Sequence, residues 1–214
     1  MSATPRPLAL LGGTFDPIHN GHLRAAWEAA EQLDAEVYLL PANVPPHRPQ
    51  PVLDADQRVA LLRLALAGQQ RLRLDTRELE RAGPSYTVDT LRELRAEQGP
   101  QRPIVLLLGV DAFAGLPSWN RWLQLFDLAH IAVLARPGHA RDYAAPLQEQ
   151  CANRNCSIGA DWRDRPAGNV LFVDVSELEI SATAIRRQLA QGQEPRFLMP
   201  EAVLAEIQAR HWYA

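Results

Sequence analysis

Two short segments hold residues whose types and spacing could do chemistry. The first, Gly12-Gly13-Thr14-Phe15-Asp16-Pro17-Ile18-His19-Asn20-Gly21-His22, lies between an apolar run and a helical pattern. Adjacent glycines at a strand end let a ligand approach bare backbone. The first turn of a following helix offers free N–H groups and a partial positive charge to an anion, a geometry that suits a nucleotide phosphate. His19 and His22, three positions apart, can face the same way and donate to neighbouring phosphate oxygens. A metal pair competes with that reading, although two histidines leave a tetrahedral site short of ligands. Two capping histidines in a tight turn are the purely structural alternative.

The second segment is Ile180-Ser181-Ala182-Thr183-Ala184-Ile185-Arg186, at an expected strand-to-helix junction. Ser181 can cap the helix while the Thr183 hydroxyl and free N–H groups face an anion, and Arg186, one turn onward, can reach the same phosphates. A capped helix with a surface arginine is the plainer alternative. Neither segment is a Walker loop ending in Gly-Lys-Ser/Thr or a G-x-G-x-x-G fingerprint.

These segments need a scaffold that brings strand ends together. Short apolar runs at Leu8–Leu11, Glu36–Leu40, Leu72–Asp75, Ile104–Leu108, Ile131–Leu134 and Val170–Val173 read as strands. Helical patterns cover Gly21–Leu33, Asp54–Ala67, Thr87–Gln98, Ser181–Gln191 and Glu201–Arg210, with weaker ones at Trp119–Phe126 and Tyr143–Cys151. The alternation predicts an α/β fold, a Rossmann-like doubly wound parallel sheet of about six strands flanked by helices, with a C-terminal helical part. One domain over residues 1–214 is expected, its segment from about 181 to 214 packed on the sheet. Ligands of such sheets bind beyond the carboxyl ends of the strands, where both segments fall. Pro41–Pro51 holds five prolines and is expected to be stiff. Gly138–Gly168 is long and polar and is expected to be a mobile or surface excursion.

Composition narrows the chemistry further. All 22 basic residues are arginine, which removes Schiff-base lysines, lysyl-AMP intermediates and P-loop lysines. A formal charge of −3 argues against broad nucleic-acid binding but leaves small anionic substrates open. The start lacks a signal-peptide core and no segment reaches membrane-spanning length, so a soluble cytoplasmic protein is expected, as monomer or homodimer. Cys151 and Cys156 cannot complete a zinc site by themselves and receive no role.

The first segment closely resembles the H-x-G-H signature of the nucleotidylyltransferase superfamily, and the second its I-S-S/A-T-x-I-R motif. Three further stretches resemble the bacterial nicotinate mononucleotide adenylyltransferases. These are Pro41-Ala42-Asn43-Val44-Pro45-Pro46-His47-Arg48, Ser85-Tyr86-Thr87-Val88-Asp89-Thr90-Leu91, and Leu108-Gly109-Val110-Asp111 followed by Leu116, Trp119, Asn120 and Trp122. Arg48 stands where many relatives carry lysine, which keeps the charge and changes the hydrogen-bond geometry. The likeness spans Leu8 to Arg186 and fades across Gly138–Gly168.

The resemblance implies AMP transfer from ATP to nicotinic acid mononucleotide, with Mg²⁺ arriving with the ATP and no metal held by the protein itself. His19, His22 and Arg186 would be catalytic. Gly12, Gly13, Thr14, Phe15, His19, His22, Gly109, Asp111, Ile180, Ser181, Thr183 and Arg186 would bind ATP. Asn43, His47, Arg48, Tyr86, Thr87, Asp111 and Trp119 would bind the mononucleotide. Asp111 can accept from ribose hydroxyls, Trp119 offers a flat face to a pyridine ring, and Thr87 with nearby N–H groups can bind a carboxylate. A phosphopantetheine adenylyltransferase-like enzyme and a non-catalytic nucleotide-sensing module remain alternatives.

Overall fold

A computed structural model describes residues 6–43, 50–81, 83–138, 142–159, 161–176 and 178–214. Six strands form one sheet: β1 (Leu8–Gly13), β2 (Glu36–Pro41), β3 (Leu72–Leu74), β4 (Ile104–Gly109), β5 (His130–Ala135) and β6 (Val170–Asp174). Every pairing is parallel, as the alternating pattern predicts, and the order is β3-β2-β1-β4-β5-β6. The helices are α1 (Asn20–Gln32), α2 (Ala55–Ala65), α3 (Arg77–Glu80), α4 (Thr87–Gln98), α5 (Val110–Ala114), α6 (Leu125–Leu128), α7 (Ala145–Arg154), α8 (Ala182–Ala190) and α9 (Glu201–Ala209). Among the described residues no helix is long and apolar enough to cross a membrane.

Alternation along each strand feeds two apolar layers. Val105 and Leu107 of β4 join a cluster with Ala26, Ala29 and Ala30 of α1, Leu61 and Leu62 of α2, Ile185 of α8, and Val203, Leu204 and Ile207 of α9. Ile104, Leu106 and Leu108 face the other way, onto Val88, Leu91 and Leu94 of α4, Phe113 of α5 and Phe126 of α6. The C-terminal helices therefore lie on the same side as α1 and α2.

The chain leaves β1 toward β2 and β3 on one side and places β4, β5 and β6 on the other. β1 and β4 stay in register from Leu8–Ile104 to Leu11–Leu107, whereas β1 continues alongside β2 as far as Gly13–Pro41. The sheet parts beyond Leu11 and Leu107, which makes the crevice at the reversal point where such sheets bind ligands.

Two expectations need correction. The pattern over Trp119–Phe126 is not one helix. Leu116–Ser118 and Trp122–Gln124 are separate 3₁₀ turns and only α6 is α-helical. Arg121 sits between the turns in left-handed backbone at φ 52°, which an α-helix cannot accommodate. Nor are the described parts of Gly138–Gly168 a surface excursion. Tyr143 and Leu147 join the α4-side layer, and Trp162, 2% exposed, joins the other. The Trp162 ring stands edge-on to His130 at 5.2 Å.

His130 is fully buried, its Nε2 2.9 Å from the Arg165 carbonyl and its Nδ1 accepting from the Asn169 N–H at 3.2 Å. Burial pushes its pKa down from 6.5 to about 4. The unfolded chain thus binds a proton there near pH 6.5, which the folded chain refuses until about 4. Stability is complete above that window and falls as pH drops through it. Melting followed by circular dichroism should give a lower Tm at pH 5 than at pH 7, with a shallower difference in His130→Gln. An equal slope in both proteins would remove His130 as the cause.

Candidate functional site

The site grows from the turn after β1. Phe15 has φ 51° and a ring buried at 2% exposure, and a Cβ on Gly13 would meet that ring at 3.0 Å. Gly13 is thus required by packing beneath the site as well as by any ligand. At Gly12 and Gly109 an added Cβ would meet open space. The Phe15 ring stands edge-on to His22 at 5.1 Å, and His22 stacks on His19 at 3.7 Å with planes 23° apart. The expected histidine pair therefore exists, held from below by an aromatic side chain.

His19 is the N-cap residue of α1 in extended backbone, yet its side chain makes no capping bond. It is 6% exposed, and burial lowers its pKa from 6.5 to about 4, so the ring is neutral at pH 7. Its Nδ1 is buried without a hydrogen-bond partner, and a Cβ on Gly21 would stand 3.1 Å from it. A polar nitrogen left so at a helix N-terminus, over bare glycine backbone, is what an anion would satisfy.

Asp16 ties the turn to the rest of the molecule and was not among the expected site residues. Its carboxylate, 5% exposed, accepts from the Val52 N–H at 2.8 Å, the Leu53 N–H at 3.2 Å and the Tyr213 hydroxyl at 2.6 Å. Arg58, 1% exposed, donates from one nitrogen to the Thr14 carbonyl at 2.8 Å and the Ala42 carbonyl at 3.0 Å. The capping box of Asp54 and Gln57 starts the helix that carries Arg58. A buried arginine within α2 reads from sequence as a solvated face, because nothing local marks its distant partners.

Arg186 reaches this turn from α8. Its Nη1 donates to the Asp16 carbonyl at 2.6 Å and lies 3.8 Å from the Asp16 carboxylate, and its Nη2 donates to the Thr183 hydroxyl at 3.3 Å. Ser181 caps α8 by accepting from the Ala184 N–H at 3.4 Å. Thr183 and Ser181 are exposed and Ile180 is half-buried. Arg186 thus meets the histidine-bearing turn through backbone as well as charge.

Of the residues expected on the acceptor side, Asn43 meets the segment that enters α4. The Asn43 N–H donates to Ser85 Oγ at 3.2 Å and its side chain to the Arg81 carbonyl at 3.3 Å. His47 and Arg48 lie outside the described residues. Tyr86 is the N-cap of α4 without a side-chain capping bond, so the serine and threonine there are not caps. Asp89 pairs with Arg121 at 2.7 Å, which draws the Trp119–Trp122 turn to α4. Tyr86 and Trp119 are half-buried against the same apolar layer, while Asp111 is exposed at the start of α5. Beneath them the buried Thr90 hydroxyl donates to Glu78 at 2.7 Å and accepts from Arg81 at 3.2 Å. Burial raises the pKa of Glu78. Among the described residues no three His, Cys, Asp or Glu side chains could hold a metal ion together.

A model of the cytidylyltransferase-like family matches residues 10–188. A protein of Halorhodospira halophila named "probable nicotinate-nucleotide adenylyltransferase" is 49% identical over 97% of this chain and 95% of its own. A protein of the same name from Methylococcus capsulatus is 46% identical over 97% and 99%, and one from Chromohalobacter salexigens 47% over 99% and 98%. The solved Plasmodium falciparum nicotinic acid mononucleotide adenylyltransferase complexed with NaAD superposes with a TM-score of 0.72 over 98% of both chains. At 14% identity it speaks to the fold alone.

The Arg58 contacts make a direct stability prediction. Arg58→Met should lower the unfolding free energy by about 2–4 kcal/mol, since two buried carbonyls lose a donor and Asp16 loses a nearby cation. Urea denaturation measures it, and a loss below about 1 kcal/mol would mean that these carbonyls find other donors.

Proposed function

This chain belongs to the cytidylyltransferase-like family, among the nicotinate-nucleotide adenylyltransferases, and from that premise we propose how its residues carry the transfer of AMP from ATP to nicotinic acid mononucleotide. A phosphate oxygen of the mononucleotide attacks the α-phosphorus of ATP, the bond to the β-phosphate oxygen breaks, and pyrophosphate leaves. The products are nicotinic acid adenine dinucleotide and pyrophosphate. The nucleophile is already an anion, so alignment and charge stabilisation suffice, without a covalent enzyme intermediate or a strong base.

What supports these roles most is the stacked His19–His22 pair at the start of α1, with a buried, unsatisfied His19 nitrogen. His19 and His22 donate to the triphosphate and to the charge growing on it, and Arg186 adds a fixed positive charge from α8. Phe15 acts through His22, holding its ring from below. Gly12, Gly13, Thr14, Gly109, Asp111, Ile180, Ser181 and Thr183 frame ATP across the parting of β1 and β4. Mg²⁺ arriving with the ATP would neutralise phosphate charge.

Asn43, Tyr86, Thr87 and Trp119 hold the mononucleotide, together with His47 and Arg48. The α4 N-terminus lacks a side-chain cap, and its dipole favours the nicotinate carboxylate over the neutral amide. Residues 1–214 act as one catalytic unit in this reading, because α8 supplies Arg186 and α9 leads to Tyr213 beneath Asp16.

Pyrophosphate release from MgATP should be fastest with nicotinic acid mononucleotide, slower with nicotinamide mononucleotide and absent with phosphopantetheine. Equal release with acid and amide would refute the role given to α4, and release with phosphopantetheine alone would replace the acceptor. His19→Ala should lower kcat by about a hundredfold or more while Tm moves little. A folded variant with near-normal kcat would sink the role of His19.

A further inference from the structure

Tyr213, the penultimate residue, is nowhere near the site in sequence, yet its hydroxyl is 2.6 Å from the Asp16 carboxylate across 197 positions. Its ring is buried in the α1-side layer and its backbone is left-handed at φ 65°. A non-glycine residue persists in that conformation where surrounding contacts fix it. Burial and the Asp16 charge hold the hydroxyl pKa far above the usual tyrosine range, so it remains a donor.

The groups around Asp16 show what that donor does. The carboxylate takes two backbone N–H groups from Val52 and Leu53, and Tyr213 supplies the third donor. Arg186 stands 3.8 Å off, beyond hydrogen-bond range of the carboxylate, and donates instead to the Asp16 carbonyl at 2.6 Å. Were the hydroxyl removed, one carboxylate oxygen would lose its strongest donor inside a buried site. The guanidinium placed to replace it is that of Arg186, 3.8 Å from Oδ2, while Nη1 of Arg58 donates to the Thr14 and Ala42 carbonyls.

We propose that Tyr213 is a positioning residue for adenylyl transfer, satisfying the Asp16 carboxylate so that Arg186 stays on the Asp16 carbonyl and keeps its charge available to the triphosphate. The proposal rests on the reading of Arg186 as a phosphate ligand. It makes the segment after α9 part of the catalytic apparatus, although no atom of Tyr213 need touch substrate.

Tyr213→Phe keeps the ring and removes only the hydroxyl. Steady-state kinetics should show KM for MgATP up five- to tenfold and kcat reduced, with KM for the mononucleotide within twofold, because Val52 and Leu53 still hold Asp16. Replacing Tyr213 by p-aminophenylalanine puts an N–H donor where the hydroxyl stood and should return KM for MgATP toward that of the parent protein. A purely structural hydroxyl would lower Tm and leave both KM values unchanged, which overturns the proposal, as would an equal rise in both or an amino variant no better than Tyr213→Phe. Should Tyr213→Phe not fold, the amino variant decides alone: KM for MgATP near the parent value supports the proposal and a five- to tenfold rise refutes it. Arg186→Ala separates the two levels. If it too leaves KM for MgATP and kcat unchanged, the phosphate role of Arg186 fails, whereas a large effect there beside a silent Tyr213→Phe defeats the positioning role alone.

Discussion

A carboxylate that is almost wholly out of water must be met by donors, and the organisation around the site follows from meeting that demand at Asp16. Its donors come from the segment entering α2 and from the last turn of the chain, with Arg186 of α8 close by. Desolvating a charge costs several kcal/mol unless each lone pair is engaged, so these segments are held at one point by necessity. Arg58 serves the same region from the other side, binding carbonyls that the turn after β1 and the end of β2 leave open. The turn that carries the histidines is thereby fixed from α2, from α8 and from the segment after α9 together.

The two histidines show why such rigidity matters. Rings stacked at 3.7 Å cannot both be charged without strong repulsion, and burial already keeps His19 neutral at pH 7. A neutral imidazole still donates one N–H, and an arriving triphosphate supplies the negative charge that would favour the protonated form. In the proposed role, the histidine pair would gain electrostatic strength from its ligand. Phe15, buried under His22 in a left-handed conformation, keeps the pair from relaxing into the space below.

On the acceptor side, polar residues of one segment divide their work. Thr90 turns inward to Glu78 and Arg81, Asp89 holds Arg121, and Ser85 meets the backbone of Asn43. These contacts set the first turn of α4 against the tryptophan turn and the end of β2. A run resembling a substrate-binding motif is thus half scaffold. A second buried carboxylate, Glu28, does similar work for α1, accepting from Ser176 and Arg24 and so joining that helix to the chain after β6.

The sequence by itself determined whatever depends on neighbours within one or two turns. Strand alternation, the Asp54 start of α2, the full extent of α4, and the pairing of His19 with His22 after β1 are all local, and each stands as its residues imply. The two-layer parallel sheet followed from the same periodicity. Only the tertiary structure decided that Tyr213 meets Asp16, that Trp162 and His130 knit a polar stretch into the core, and that Arg58 is buried. It also decided that Arg121 breaks the tryptophan helix into turns. In each case the partner lies tens to hundreds of positions away, or the conformation is imposed by packing, and neither periodicity nor propensity carries information over that distance.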